Sequence, residues 1–160
     1  MNSSSRGMNP RPLERVVTMT VQAQALEAMG VSITSTTLSR RYDGLGSDWD
    51  RSASHWTVRL YRANDLGSYS FDLSYSMGSA HTGQPKIEDV MHCCLSDMSM
   101  TEMYDNAQEL ADDLGMDTDT REGKQKAANV WKGCKRMKTV MMRMFSEKEI
   151  EELREIFEDF

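Results

Sequence analysis

The chain has no apolar run approaching the roughly eighteen residues that a membrane-spanning helix needs. Its start, Met1 to Asn9, is polar and lacks the hydrophobic stretch of a secretory signal. No membrane association is therefore expected, and the protein is expected in the cytoplasm. Cysteine is scarce too: Cys93, Cys94 and Cys134 form an odd set, and the two adjacent ones are poorly placed to bond to each other. This argues against a disulfide framework, and reduced thiols suit a cytosolic setting. Positive charge is in deficit, with a formal net charge of −6 at pH 7, which disfavours wholesale adhesion to nucleic acid because phosphate contacts need a positive surface. No repeat at solenoid periods is visible. A length of 160 residues with 39% hydrophobic content leaves room for one ordinary domain with one core.

Residues 1–16, rich in Asn, Ser, Gly, Pro and Arg, read as a flexible N-terminal arm, with a single domain over 17–160. Val17, Val21, Ala25, Leu26 and Met29 recur at helical spacing and stop at Gly30. Val31 to Leu38 is β-branched and Thr-rich, and Trp56, Val58 and Leu60 alternate with Thr57, Arg59 and Tyr61, so both segments read as strands. Asn64-Asp65-Leu66-Gly67 supplies turn chemistry to a third strand with Tyr69, Phe71, Leu73 and Tyr75 on one face and Ser70, Asp72, Ser74 and Ser76 on the other. A sheet apolar on one side requires a cover, and the rest of the chain is helical in pattern.

Ile87, Val90, Met91, Cys94, Leu95 and Met98 form one stripe on a helix following Pro85, with Glu88 and Asp89 in its favourable first turn. Ser99 with Glu102 spells a capping box for a next helix with Met103, Tyr104, Ala107, Leu110, Ala111 and Leu114 inward, ending at Gly115. Asp119 with Glu122 is placed to cap a long helix carrying Ala127, Trp131, Cys134, Met137, Met141 and Met144 inward. Ser146 with Glu149 repeats the box ahead of Ile150, Leu153, Ile156 and Phe157. The expected fold class is α+β: a small antiparallel β-sheet of about three strands over 31–76, covered by a C-terminal helical bundle over 85–159.

Chemistry-bearing motifs are weak. Ser76-Met-Gly-Ser-Ala-His81-Thr-Gly83 sits between strand and helix but matches neither a P-loop nor a nucleophile elbow, and it reads as a tight connection. His81, His92, Cys93, Cys94 and Asp97 lack zinc-ligand spacing, with Cys94 on the apolar stripe. Asp112, Asp113, Asp117 and Asp119 lack the EF-hand pattern and read as caps. No cofactor, metal or catalytic residue is expected. The fourteen methionines, with Met137, Met141, Met142 and Met144 clustered, suit core gap-filling first and an adaptable partner surface second.

Charge is asymmetric. Lys124 to Arg143 holds seven basic residues and no acid; Glu147 to Asp159 holds seven acids against Lys148 and Arg154. Two readings of the basic helix stand side by side: a face gripping phosphates or an acidic protein through Lys132, Lys135, Arg136 and Arg143, or pairing with the acidic helix that follows. The acids Glu147, Glu151, Glu152, Glu155, Glu158 and Asp159 read either as a solvated face or as a carboxylate array for a basic partner groove.

The stretch SFDLSYSMGSAHTGQPKIEDVMHCCLSD resembles the core signature of a family of small proteins carried by bacteriophages and mobile elements. The resemblance extends to LEAMGVSIT, HWTVRLYR and LADDLGMDTDTREGKQ, and covers most of 17–160. In that family an aromatic pair usually precedes the Gly-x-Asp-x-Asp-Ser-Arg segment; here Leu110, Ala111 and Met116 stand where bulk is expected, and Thr120 stands for the serine. The resemblance lends no catalytic residue. It implies a phage-encoded inhibitor of bacterial defence acting in the host cell cytoplasm, foremost an anti-CRISPR protein that binds an effector protein, such as a Cas protein, stoichiometrically. The alternative is a nucleic-acid-binding accessory protein using the basic helix. An enzyme built on Ser79, His81 and Asp97 ranks last, because these residues spell no known arrangement of nucleophile, base and orienter.

Overall fold

Alternation of period two and stripes of period 3.6 become, among the described residues of the computed structural model, a three-stranded antiparallel sheet and five helices. Residues 19–40, 54–64, 67–77 and 83–157 are described; the proposed arm 1–16 lies outside them. In chain order the elements are α1 (Val21–Ala28), β1 (Val31–Arg40), β2 (Ser54–Asn64), β3 (Gly67–Met77), α2 (Ile87–Met103), α3 (Ala107–Leu114), α4 (Arg121–Met144) and α5 (Glu147–Ile156). Among the described residues no helix is long and apolar enough to cross a membrane.

The sheet is a meander with β2 in the centre. β2 and β3 pair without interruption from Asn64↔Gly67 to Ser54↔Met77, whereas the β1–β2 register shifts between Thr37 and Ser39. This register stacks Val31, Ile33, Trp56, Val58, Leu60, Phe71, Leu73 and Tyr75 on one face, and Thr34, Arg59 and Asp72 on the other. The polar face is exposed and carries a cross-strand pair in which Arg59 Nε donates to Asp72 Oδ1 at 2.8 Å. The apolar face is covered by α2, whose Val90, Met91, Cys94, Leu95 and Met98 are buried, with Met141, Met144 and Phe145 at the end of α4 and Ile150, Leu153 and Phe157 of the last helix. Burying each such large side chain contributes about 1.5–3 kcal/mol relative to leaving it in water.

Local boundaries depart from expectation in three places. The helix before β1 starts at Val21, where Thr20 caps it by accepting from Ala23 N–H at 2.9 Å, and Val17 lies outside the described residues; Val21 is 77% exposed, not inward, and Ala23 and Leu26 form the buried face. Ser99 and Glu102 do not open a helix, since α2 continues through them to Met103, and Asn106 caps α3 by accepting from Glu109 N–H at 3.0 Å. Met103 and Leu114 are consequently exposed, leaving Leu110 and Ala111 to bury α3. Thr120 rather than Asp119 caps α4, accepting from Gly123 N–H at 3.0 Å. Gly30 turns α1 into β1 at φ +79°, and a side chain there would lie 2.3 Å from the Ala63 carbonyl oxygen.

One polar side chain lies inside this core. The β2 alternation that buries Trp56, Val58 and Leu60 also turns Arg62 inward, where it is 5% exposed. Its guanidinium donates to Met29 O at 3.0 Å and Met144 O at 2.6 Å, reaches both carboxylate oxygens of Glu149, and lies 4.8 Å from the centre of the Phe145 ring. Glu149 also completes the Ser146 capping box that starts α5. The bonds from Arg62, with those from Ser146, hold the Glu149 carboxyl down to about 2.

Arg62 is buried and Glu149 only partly so, and Glu149→Ala, which leaves the buried cation without its carboxylate, is expected to cost about 3–5 kcal/mol in denaturant unfolding at neutral pH, with the double change Arg62→Met and Glu149→Leu costing less. Because the folded pKa is depressed below the ordinary 4.5, the stabilisation is complete above that value and is lost as pH falls toward about 2. Unfolding free energy followed from pH 6 to 2.5 should decline in wild type and flatten in Glu149→Gln; parallel curves would refute this assignment.

Candidate interaction site

Lys138 of α4 and Glu147 and Glu151 of α5 line one surface depression with Met98, Met142 and Arg154, while the other exposed charges of the two helices lie outside it. On a helix of 3.6 residues per turn, Lys132, Lys135, Arg136 and Arg143 fall within about 100° of one another, opposite the buried Ala127, Cys134 and Met141. All four are exposed, and none makes an ion pair within 4 Å among the described residues.

On α5, burial of Ile150, Leu153 and Phe157 turns Glu147, Glu151, Glu152 and Glu155 to solvent. These four also lack an ion pair among the described residues, and Glu158 and Asp159 lie outside those residues. Of the two readings of the basic helix, pairing with the acidic helix has no ion pair within 4 Å among the described residues. The two ion pairs of α5 run elsewhere, Glu149 to Arg62 of the sheet and Arg154 to Glu102 of α2 at 2.7 Å. Glu147, Glu151 and Glu155 repeat at i, i+4 and i+8, and each like-charge step costs an isolated helix about 0.2–0.5 kcal/mol. The dipole offsets this for Glu147 in the first turn but not for Glu155 in the last.

Of the residues weighed for metal or nucleophilic chemistry, His92, Cys93, Cys94 and Asp97 share α2. Ser79 and His81 lie outside the described residues. Cys94 is fully buried against the sheet, and Cys93 donates weakly to the Tyr75 hydroxyl with sulfur and oxygen 3.9 Å apart. Burial pushes the Cys94 thiol up to about 12 and Cys134 up to about 11, with Asp97 adding to both, so neither is a thiolate at neutral pH. Among the described residues no three His, Cys, Asp or Glu side chains are grouped to hold a metal ion. The acids around Gly115 serve local structure: Asp113 accepts from the Tyr104 hydroxyl, Asp112 from Gln108 Nε2 at 2.8 Å, and Asp117 from Asp119 N–H at 2.9 Å. Gly123 is required there, since a side chain would meet the Asp117 carbonyl oxygen at 1.6 Å.

Asp97 is the exception among these residues. It lies toward the C-terminal part of α2, half-buried, and burial raises its carboxyl pKa. It lines a cavity of about 620 Å³ bounded by Phe71 and Leu73 of β3 and by Arg136, Met137 and Val140 of α4. Among the described residues it has no hydrogen-bond or ion-pair partner. Sequence reasoning singled out Asp97 for other chemistry and did not join it to β3 or α4. It also passed over Arg62, although the β2 alternation already assigned that position to the inner face.

Comparison with protein-family models, curated proteins and solved structures finds no match to this chain.

Burial protects the thiols in the folded state. Ellman's reagent at pH 7.5 should label Cys94 and Cys134 at least about tenfold more slowly in native protein than in guanidinium, where all three cysteines react. Rapid native labelling of either residue, located by mass spectrometry, would contradict this burial.

Proposed function

We propose that this protein is a phage-encoded inhibitor of a bacterial defence system, most specifically an anti-CRISPR protein that binds an effector protein stoichiometrically in the host cytoplasm. The observation that carries this reading is the α5 surface, where Glu147, Glu151, Glu152 and Glu155 are exposed and make no ion pair among the described residues. A row of carboxylates that raises the free energy of the isolated helix is relieved when a cationic groove covers it, and complementary charge accelerates the encounter. The resemblance of the β3-to-α2 stretch to phage and mobile-element proteins supplies the biological setting.

A second reading rests on the opposite charge. Lys132, Lys135, Arg136 and Arg143 share one exposed face of α4 and likewise make no ion pair among the described residues, which supports a nucleic-acid-binding accessory role. Binding of that kind weakens steeply with salt.

Expression of the protein should restore plaquing of a targeted phage in a strain carrying the susceptible CRISPR–Cas system and have no effect in a strain lacking it. Reversing Glu151, Glu152 and Glu155 to Lys should abolish the restoration while the circular dichroism spectrum stays unchanged. Full activity in that triple variant would reject the acidic face, and no restoration across a panel of defence systems would reject the inhibitor reading. For the second reading, gel shift of duplex or single-stranded DNA at 20 mM salt should be lost on reversing Lys132, Lys135 and Arg136 to Glu; an absent shift in wild type would eliminate it.

A further inference from the structure

The two edges of the sheet differ in how open they are to pairing. β1 breaks register between Thr37 and Ser39, the kind of irregularity that blunts an edge, whereas β3 stays in unbroken register with β2 over eleven residues. β3 contains no proline or lysine, two common edge protectors. Asn64 pairs with Gly67 across a two-residue connection, which makes them a hydrogen-bonded pair. The alternation of an antiparallel ladder then aims the backbone N–H and C=O groups of Ser70, Asp72 and Ser74 away from β2. Among the described residues β3 has no second neighbouring strand.

That free edge borders the cavity between β3 and α4. A strand added beside β3 would send alternate side chains toward the sheet's inner face, next to Phe71 and Leu73 and under Met137 and Val140. Asp97 lies in the same cavity as a carboxylate with no hydrogen-bond or ion-pair partner among the described residues, Arg136 of the same lining standing more than 4 Å from it. Gly133 opens the α4 side, since nothing lies within 4 Å of the position its side chain would take.

We propose that the groove between β3 and α4 is a peptide-binding site that takes an extended segment of a partner protein as a fourth strand, with apolar side chains flanking one lysine or arginine that pairs with Asp97. Main-chain bonds to Ser70, Asp72 and Ser74 give the affinity; Phe71, Leu73, Met137 and Val140 with Asp97 give the selectivity, since Asp72, the other carboxylate lining the groove, is already held by Arg59. The site is separate from the acidic stripe, shares only Arg136 with the basic face, and stands whether or not the partner is a defence effector.

The test uses the full chain, isotopically labelled, titrated with a blocked heptapeptide Thr-Val-Thr-Lys-Thr-Val-Thr and with its Lys-to-Glu counterpart. Amide shifts should appear at Ser70, Asp72, Ser74 and along 133–140 with the lysine peptide, and affinity for the glutamate peptide should be at least about tenfold lower. Asp97→Asn should weaken the lysine peptide by about tenfold and leave the glutamate peptide unweakened. Gly133→Leu places a side chain in the groove and improves helix propensity, so it should abolish binding while preserving the spectrum elsewhere. Ser74→Pro removes an outward N–H at an edge position and should weaken binding in the same way. The proposal is overturned by an absence of shifts at millimolar peptide, by binding that survives Gly133→Leu, or by equal affinity for both peptides. It is also overturned by sedimentation revealing a dimer that Gly133→Leu dissociates, which would make a second copy of the chain the occupant.

Discussion

The guanidinium of Arg62 is the constraint around which the described structure is arranged. A buried cation is tolerated only when its donors are satisfied, and here the partners come from three helices. Met29 and Met144 stand at the C-terminal ends of α1 and α4, where carbonyls lack helical partners and carry partial negative charge. Glu149 lies in the first turn of α5, where negative charge is favoured. One side chain on the central strand thus satisfies two helix ends and a carboxylate that would otherwise compete with water. Phe145 covers the assembly from the connection between α4 and α5.

The orientation of α5 follows from that anchor. With Glu149 turned toward Arg62 and Ile150, Leu153 and Phe157 turned toward the core, Glu147, Glu151, Glu152 and Glu155 are left exposed. Arg154 is drawn to Glu102 and not to its own helix neighbours. The basic face of α4 and the acidic face of α5, adjacent in sequence, therefore remain distinct surfaces. Exposed pairs between them would have contributed only about 0–1 kcal/mol each, too little to compete with core burial in setting the helix rotation.

Much of the secondary structure was legible because its cause is local. The alternation in β2 and β3, the α2 stripe from Ile87 to Met98, the Gly30 and Gly115 stops and the Ser146–Glu149 box depend on residues a few positions apart, and the structure contains each of them. Ser99 and Glu102 carry the same pattern as Ser146 and Glu149, yet burial of Leu95 and Met98 and continued backbone bonding carry α2 through them to Met103. At Asp119 the backbone N–H is held by Asp117, and the cap passes to Thr120. Capping signals compete with one another, and the packed face decides which one is used.

The sequence by itself determined an α+β chain with one inward sheet face, a helical cover, and oppositely charged segments over Lys124–Arg143 and Glu147–Asp159. Only the tertiary structure decided where those charges point, that Arg62 belongs to Glu149 across 87 positions, and that Asp97 meets β3 and α4 at one groove. Periodicity records which side of an element is apolar, because that is a property of near neighbours along the chain. It holds no record of which element will lie opposite, and ion pairs, grooves and free strand edges are set by that second relation.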